Sequence, residues 1–312
     1  MLHNIDIAYE LKLEAPERLA DPAYVSQHAK ATADLLSTRL RFFGDGAAIA
    51  WTLHEARPVD GQDAVELVWR APSPRPAGKL TIAAYLFPYD PMHQTFLNVY
   101  EGAALVRQDV LSRSRTSVDF YTGTRQGLLA VFSTFTVSGI HHIAIGPDHI
   151  LFIIGLLLLG GSLPRLLMIV TAFTLGHSVT LALATLEIVA PPARIIEPAI
   201  ALSIVYVGAD NLLAGEKGRD VRAWVALLFG LVHGFGFASV LREAGLPNRA
   251  LGLSLFSFNL GVEIGQAAIV LVVASALAVV RRRSAAIARR VALVGSVVVM
   301  LAGAFWFIER VF

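Results

Sequence analysis

The first 125 residues contain short segments in which apolar and polar side chains alternate, a pattern typical of strands half buried in a sheet. In residues 5–13 nearly every second side chain is apolar and most of those between are charged, which predicts a strand. Further strands are predicted at residues 37–43, 48–56, 64–70, 79–87, 95–100 and 103–110, and a helix is predicted at 23–36. Turn residues separate these segments, so the pattern predicts a small antiparallel β-sandwich over residues 1–125.

Beyond Gly127 the alternation gives way to long apolar runs of about 20 residues, the length needed to cross a hydrocarbon layer ~30 Å thick. Spans are predicted at residues 128–160, 164–186, 195–213, 222–241, 250–280 and 291–309. Gly146-Pro147 interrupts the first span, because proline cannot continue a regular helix and favours a new helix start. The expected fold is therefore an all-α polytopic bundle of about six transmembrane helices over residues 126–312, preceded by the β-rich domain.

The composition supports a membrane protein and excludes several other classes. Hydrophobic residues make up 55% of the 312 and charged residues only 16%, against roughly 25% charged in soluble domains. A net charge of +2 with scattered arginines gives no support for nucleic-acid binding. The chain has no cysteine, which excludes disulfides, thiolate metal sites and cysteine nucleophiles. The chain contains no GxxxxGK[ST] motif, so the sequence gives no indication of ATP hydrolysis.

The distribution of lysine and arginine predicts an orientation in the bacterial inner membrane. The loops at 161–165, 214–222 and 281–290 carry nine such residues. The opposite set carries four, Arg194, Arg242, Arg249 and Arg310. Because cytoplasmic loops are the positive ones, both termini and the N-terminal domain are expected to be extracytoplasmic.

A translocated N-terminal domain needs a signal peptide, and residues 1–20 lack the apolar core of one. We therefore expect the N-terminus to be truncated. The alternative is that residues 127–143 form a separate short span and leave the sandwich in the cytoplasm.

Six ionisable residues lie inside the predicted spans, where each charged side chain costs about 2.5–3.5 kcal/mol on insertion scales. They are His142, Asp148, His149, His177, His233 and Glu263. Four further polar residues are expected to support them: Thr174, Asn259, Gln266 and Asp210. With no lysine or arginine expected beside them in the membrane, the acids and imidazoles predict a bound cation.

Each of these residues also has a purely structural interpretation. His233 would then form only a hydrogen bond between helices. Asn259, Glu263 and Gln266, at i, i+4 and i+7, would be one packing stripe of their helix. Asp210 lies close enough to a loop to be solvated.

The ligand chemistry narrows the choice of cation. Imidazole and carboxylate without sulfur suit borderline divalent ions such as Ni²⁺, Co²⁺, Zn²⁺ or Fe²⁺. Because neutral imidazole is the ligand, protonation opposes binding, and a proton gradient would favour release.

Five motifs in this half of the chain resemble the HupE/UreJ family, in its branch with an extracytoplasmic N-terminal domain. They are His142 with Asp148-His149, residues 171–181, Ser203 to Tyr206, Gly230 to Gly234, and Asn259 to Gln266. The resemblance implies a hydrogenase or urease accessory protein acting as a nickel or cobalt permease. It also implies that His142, Asp148 and His149 are the primary metal residues, with His177, His233 and Glu263 in support.

The sequence therefore favours a secondary transporter over an enzyme, with Ni²⁺ or Co²⁺ as cargo, no permanent cofactor and possible proton coupling. One alternative is an intramembrane hydrolase that retains Zn²⁺. Another is a non-transporting membrane receptor or assembly factor. The expected partners are the lipid bilayer, the metal ion, a second copy of the chain in a homo-oligomer, and an unidentified extracytoplasmic partner.

Overall fold

The computed structural model divides into two compact units, Met1–Ala130 and Val131–Phe312. It describes residues 1–71, 77–213, 220–237 and 248–312. Outside the described residues lie the segment 72–76 between two predicted strands, the end of the fourth predicted span, and the loop residues Lys217, Arg219 and Arg242. The side chain of Arg249 is not described either.

The N-terminal unit is rich in antiparallel strands, which confirms the β-rich domain. The strands are β1 Leu2–His3, β2 Leu40–Gly44, β3 Ala47–Ala48, β4 Thr52–Pro58, β5 Ala64–Arg70, β6 Lys79–Ala84, β7 Thr95–Glu101, β8 Ala104–Leu111 and β9 Ser117–Tyr121. They form three sheets, in the orders β1-β5-β4, β3-β2-β6-β9 and β7-β8. Strand β9 was not predicted. Helix α2, Pro22–Ser37, was predicted, and its Leu36 joins Leu67, Ile82 and Phe87 in the core.

The strand predicted at residues 5–13 is wrong, because Asn4–Leu11 form helix α1. The alternating apolar residues do not share a buried face: Ile5 is 70% exposed and Tyr9 is 61% exposed. The buried positions are instead Asn4, Ile7 and Ala8, which have the i, i+3, i+4 spacing of a helix. Tyr9 packs on Tyr89 with ring centroids 3.9 Å apart, so contacts within the fold override the local alternation.

The second unit is helical, as predicted. Its helices are α3 Arg125–Ile145, whose first six residues belong to the N-terminal unit, α4 Pro147–Leu158, α5 Leu163–Thr185, α6 Ala193–Leu213, α7 Arg222–His233, α8 Asn248–Arg283 and α9 Ala285–Val311. Among the described residues, five of these helices are long and apolar enough to cross a membrane, and α4 and α7 are shorter apolar helices. The first predicted span is broken between α3 and α4 at Gly146-Pro147, where the sequence placed the interruption.

Close helix contacts bring the histidine-bearing segments together. A Cβ atom added at Gly176 of α5 would lie 2.2 Å from the carbonyl oxygen of Leu227 in α7. One added at Gly230 of α7 would lie 2.3 Å from the carbonyl oxygen of Phe173. Only glycine permits this separation, so the two helices are in backbone contact beside His177 and His233.

Arginines from two other helices hold the C-terminal end of α4. Arg222 donates to the carbonyl oxygens of Leu156 and Gly160, at 2.7 and 2.8 Å, and Arg281 donates to that of Leu158 at 3.1 Å. The last carbonyls of a helix lack intrahelical donors and carry partial negative charge. The guanidinium groups therefore supply the missing hydrogen bonds and a compensating positive charge. This cap fixes a helix of only 12 residues whose other end carries His149.

Candidate metal centre

Three histidines from three helices converge at the break between α3 and α4. His142 lies in the last turn of α3, His149 in the first turn of α4, and His177 in the middle of α5. One ring nitrogen from each lies within 4.8 Å of the others. The helix break explains the convergence, because it places the end of α3 and the start of α4 side by side.

The three-histidine cluster is enclosed by aromatic rings. His149 and His177 are buried, and their Nε2 atoms have no hydrogen-bond partner among the described residues. The ring of Phe173 lies 6.0 Å from those of His149 and His177, and that of Phe258 lies 5.5 Å from His142. Buried polar nitrogens normally have partners, so these lone pairs are available to a ligand.

Asn259 sets the orientation of His177. The Asn259 amide nitrogen donates to the carbonyl of Leu255 at 2.9 Å, which leaves its Oδ1 to face His177 Nδ1 at 3.4 Å. Nδ1 must therefore carry the proton, so Nε2 keeps its lone pair. Orienting a ligand imidazole through its second nitrogen is the usual arrangement at metal sites.

His233 is adjacent to the cluster but outside the group of three. Its ring lies 5.1 Å from that of His149. Ser203 Oγ donates to the carbonyl of Ile200 at 2.6 Å, so it accepts from His233 Nε2 at 2.9 Å. His233 thus forms a hydrogen bond between two helices, as its structural interpretation expects. Its buried Nδ1 has no partner among the described residues.

Asp148 does not face a free cation site, because Arg310 in the last turn of α9 pairs with it. Arg310 Nη2 lies 3.1 and 3.0 Å from the two carboxylate oxygens. The expectation that no lysine or arginine compensates the acids in the membrane is therefore wrong for Asp148. Arg310 was counted among loop charges, and no local pattern links it to a residue 162 positions earlier.

The remaining polar residues join α5 to α8. Thr171 donates to Glu263 Oε1, and Thr174 donates to Gln266 Oε1 at 2.9 Å. Glu263 Oε2 and Gln266 Nε2 have no partner among the described residues. Glu263 is not in the three-histidine group, and Asp210 lies one turn before the end of α6, also outside it.

The family profile described as HupE / UreJ protein matches residues 121–310. The chain belongs to the HupE/UreJ family. No curated protein and no solved structure matches it. Family membership and the five apolar helices make this HupE/UreJ protein a multi-pass membrane protein.

The donor set of this HupE/UreJ protein suits a divalent transition metal. Around a tetrahedral ion with metal–nitrogen bonds of about 2.0–2.1 Å, ligand nitrogens lie about 3.3 Å apart. The three ring nitrogens lie within 4.8 Å of one another, which is compatible with all three reaching one ion. Sequence reasoning missed the enclosing rings of Phe173 and Phe258, since phenylalanine in an apolar span carries no distinguishing signal.

Proposed function

We propose that this HupE/UreJ protein is a permease for a divalent transition metal, with Ni²⁺ or Co²⁺ as the favoured cargo. Membership of the family indicates a nickel- or cobalt-related accessory or permease role. The observation that carries the proposal is the convergence of His142, His149 and His177 within 4.8 Å, inside a helical bundle.

The chemistry of the cluster supports a transported rather than a permanently held ion. Three neutral imidazoles suit Ni²⁺, Co²⁺ and Zn²⁺, and the chain has no cysteine to tighten binding. A permeation site must also release its ion. Neutral imidazoles without a thiolate favour the moderate affinity that release requires.

An intramembrane zinc hydrolase is the second candidate, since three histidines with an open fourth position are also a catalytic zinc set. Such an enzyme needs a carboxylate to assist a bound water. Asp148 pairs with Arg310, and Glu263, which accepts from Thr171, lies outside the three-histidine group. These bonds favour the permease.

The test is uptake of Ni²⁺, Co²⁺, Zn²⁺ and Fe²⁺ into proteoliposomes, with and without a pH gradient. His149→Ala should abolish flux, because it removes one of three ligands. His141→Ala is the matched control, since it removes an exposed imidazole next to His142 and should leave flux unchanged. Full flux in a correctly inserted His149→Ala variant would overturn the proposal. Stoichiometric zinc retained through purification, with no flux of any metal, would support the enzyme instead.

A further inference from the structure

An ion pair joins three helices beside the three-histidine cluster. Arg310 Nη2 contacts both oxygens of Asp148, and Arg310 Nη1 donates to the carbonyl oxygen of Glu197 in α6 at 3.2 Å. The guanidinium also lies 5.8 Å from the ring centroid of Trp306, one turn earlier in α9. Asp148 and Arg310 are each 21% exposed, so the pair is accessible from outside the bundle.

The position of the pair relates it directly to the cluster. Asp148 immediately precedes His149, and both lie in the first turn of α4. A carboxylate next to a metal ligand attracts cations, but here a guanidinium already neutralises it. A divalent ion that uses Asp148 must therefore compete with Arg310 for the same two oxygens.

The geometry of the pair is suited to exchange. Arginine binds carboxylate most firmly when two of its nitrogens each meet one oxygen. Here a single nitrogen, Nη2, donates to both carboxylate oxygens, and the other terminal nitrogen, Nη1, donates to the backbone carbonyl oxygen of Glu197. If the guanidinium lost its bonds to the Asp148 carboxylate, it would keep its hydrogen bond to the Glu197 carbonyl oxygen and its position near Trp306.

We propose that Arg310 is the resident counter-ion of Asp148, displaced when a divalent ion approaches the cluster, so that this pair controls access to the site. The proposal rests on the permease function. It makes Arg310 a positioning residue that sets the apparent affinity for the ion and does not itself bind the ion.

The test compares the concentration dependence of metal uptake in proteoliposomes of wild type and Arg310→Gln. Glutamine removes the competing charge, so KM for Ni²⁺ should fall about two- to five-fold, the size expected for a partly exposed ion pair. Vmax should not rise. Arg194→Gln is the matched control, because it removes an exposed arginine from the start of α6 and should leave KM unchanged.

A pair that only holds α9 to α4 predicts a different result. Arg310→Gln would then lower the melting temperature in detergent and the Vmax, with KM unchanged or raised. Arg310→Met, which keeps an apolar stem, provides a second charge-removing variant. Failure of both variants to insert would also overturn the proposal, since the pair would then be required for folding. Absence of flux in the wild type contradicts the permease itself, whereas wild-type flux with unchanged KM in both variants contradicts only the role of Arg310.

Discussion

Replacing Asn259 with leucine tests whether a hydrogen bond outside the three-histidine cluster prepares it for metal. Asn259 Oδ1 accepts from His177 Nδ1, which leaves the buried Nε2 with a lone pair and with no partner among the described residues. Leucine has the same number of side-chain heavy atoms but no acceptor. The imidazole is then free to place its proton on Nε2, where it blocks coordination.

The expected magnitude follows from the length of this hydrogen bond. Removing the partner that orients a metal-binding histidine typically lowers metal affinity by about 10–100-fold. The distance of 3.4 Å is long for a hydrogen bond, which places the effect at the lower end. We expect about ten-fold weaker binding, equivalent to about 1.4 kcal/mol. Titration calorimetry of the purified protein with Ni²⁺ and Co²⁺ measures it.

Gln266→Leu is the matched control for this experiment. Gln266 lies on the same stripe of α8 and accepts from Thr174, which also donates to the carbonyl of Val170 at 3.2 Å. Both leucine variants lose one buried bond between α5 and α8, but only Asn259→Leu affects a histidine. Asn259→Asp, which keeps the acceptor, should retain the affinity. Equal weakening in the two leucine variants, or none in Asn259→Leu, would refute the reasoning.

Three further outcomes follow from the structure. Gly176→Ala should lower the unfolding free energy by about 1–3 kcal/mol, because its Cβ would lie 2.2 Å from the Leu227 carbonyl oxygen. Gly252→Ala meets no atom within 4 Å and should melt in detergent no lower than wild type. Ser203→Ala leaves the buried His233 Nε2 without its acceptor and should lower that free energy by about 1–3 kcal/mol; an unchanged melting temperature would contradict this. Hydrogen bonds from Arg222, and to a smaller extent from Arg165, hold the pKa of the Asp220 carboxyl below its usual range. The stability that the ionised Asp220 contributes is therefore complete above the unfolded carboxyl pKa near 4 and disappears as pH falls further. The melting difference between wild type and Asp220→Asn should therefore be constant from about pH 7 to 5 and narrow below about pH 4; a difference that persists at lower pH would contradict this.

The sequence alone determined the features that depend on composition and local backbone chemistry. Apolar runs longer than any soluble core requires predicted the helical unit, and Gly146-Pro147 predicted the break between α3 and α4. Local alternation failed at residues 5–13, where burial within the fold follows a helical spacing.

Only the tertiary structure decided which polar groups meet. His142, His149 and His177 lie on three helices, and their convergence depends on the helix break and on helix packing that no periodicity encodes. The pairing of Asp148 with Arg310 joins residues 162 positions apart. Such pairs form because a charge inside a membrane must find a partner wherever packing supplies one, and packing belongs to the folded chain as a whole.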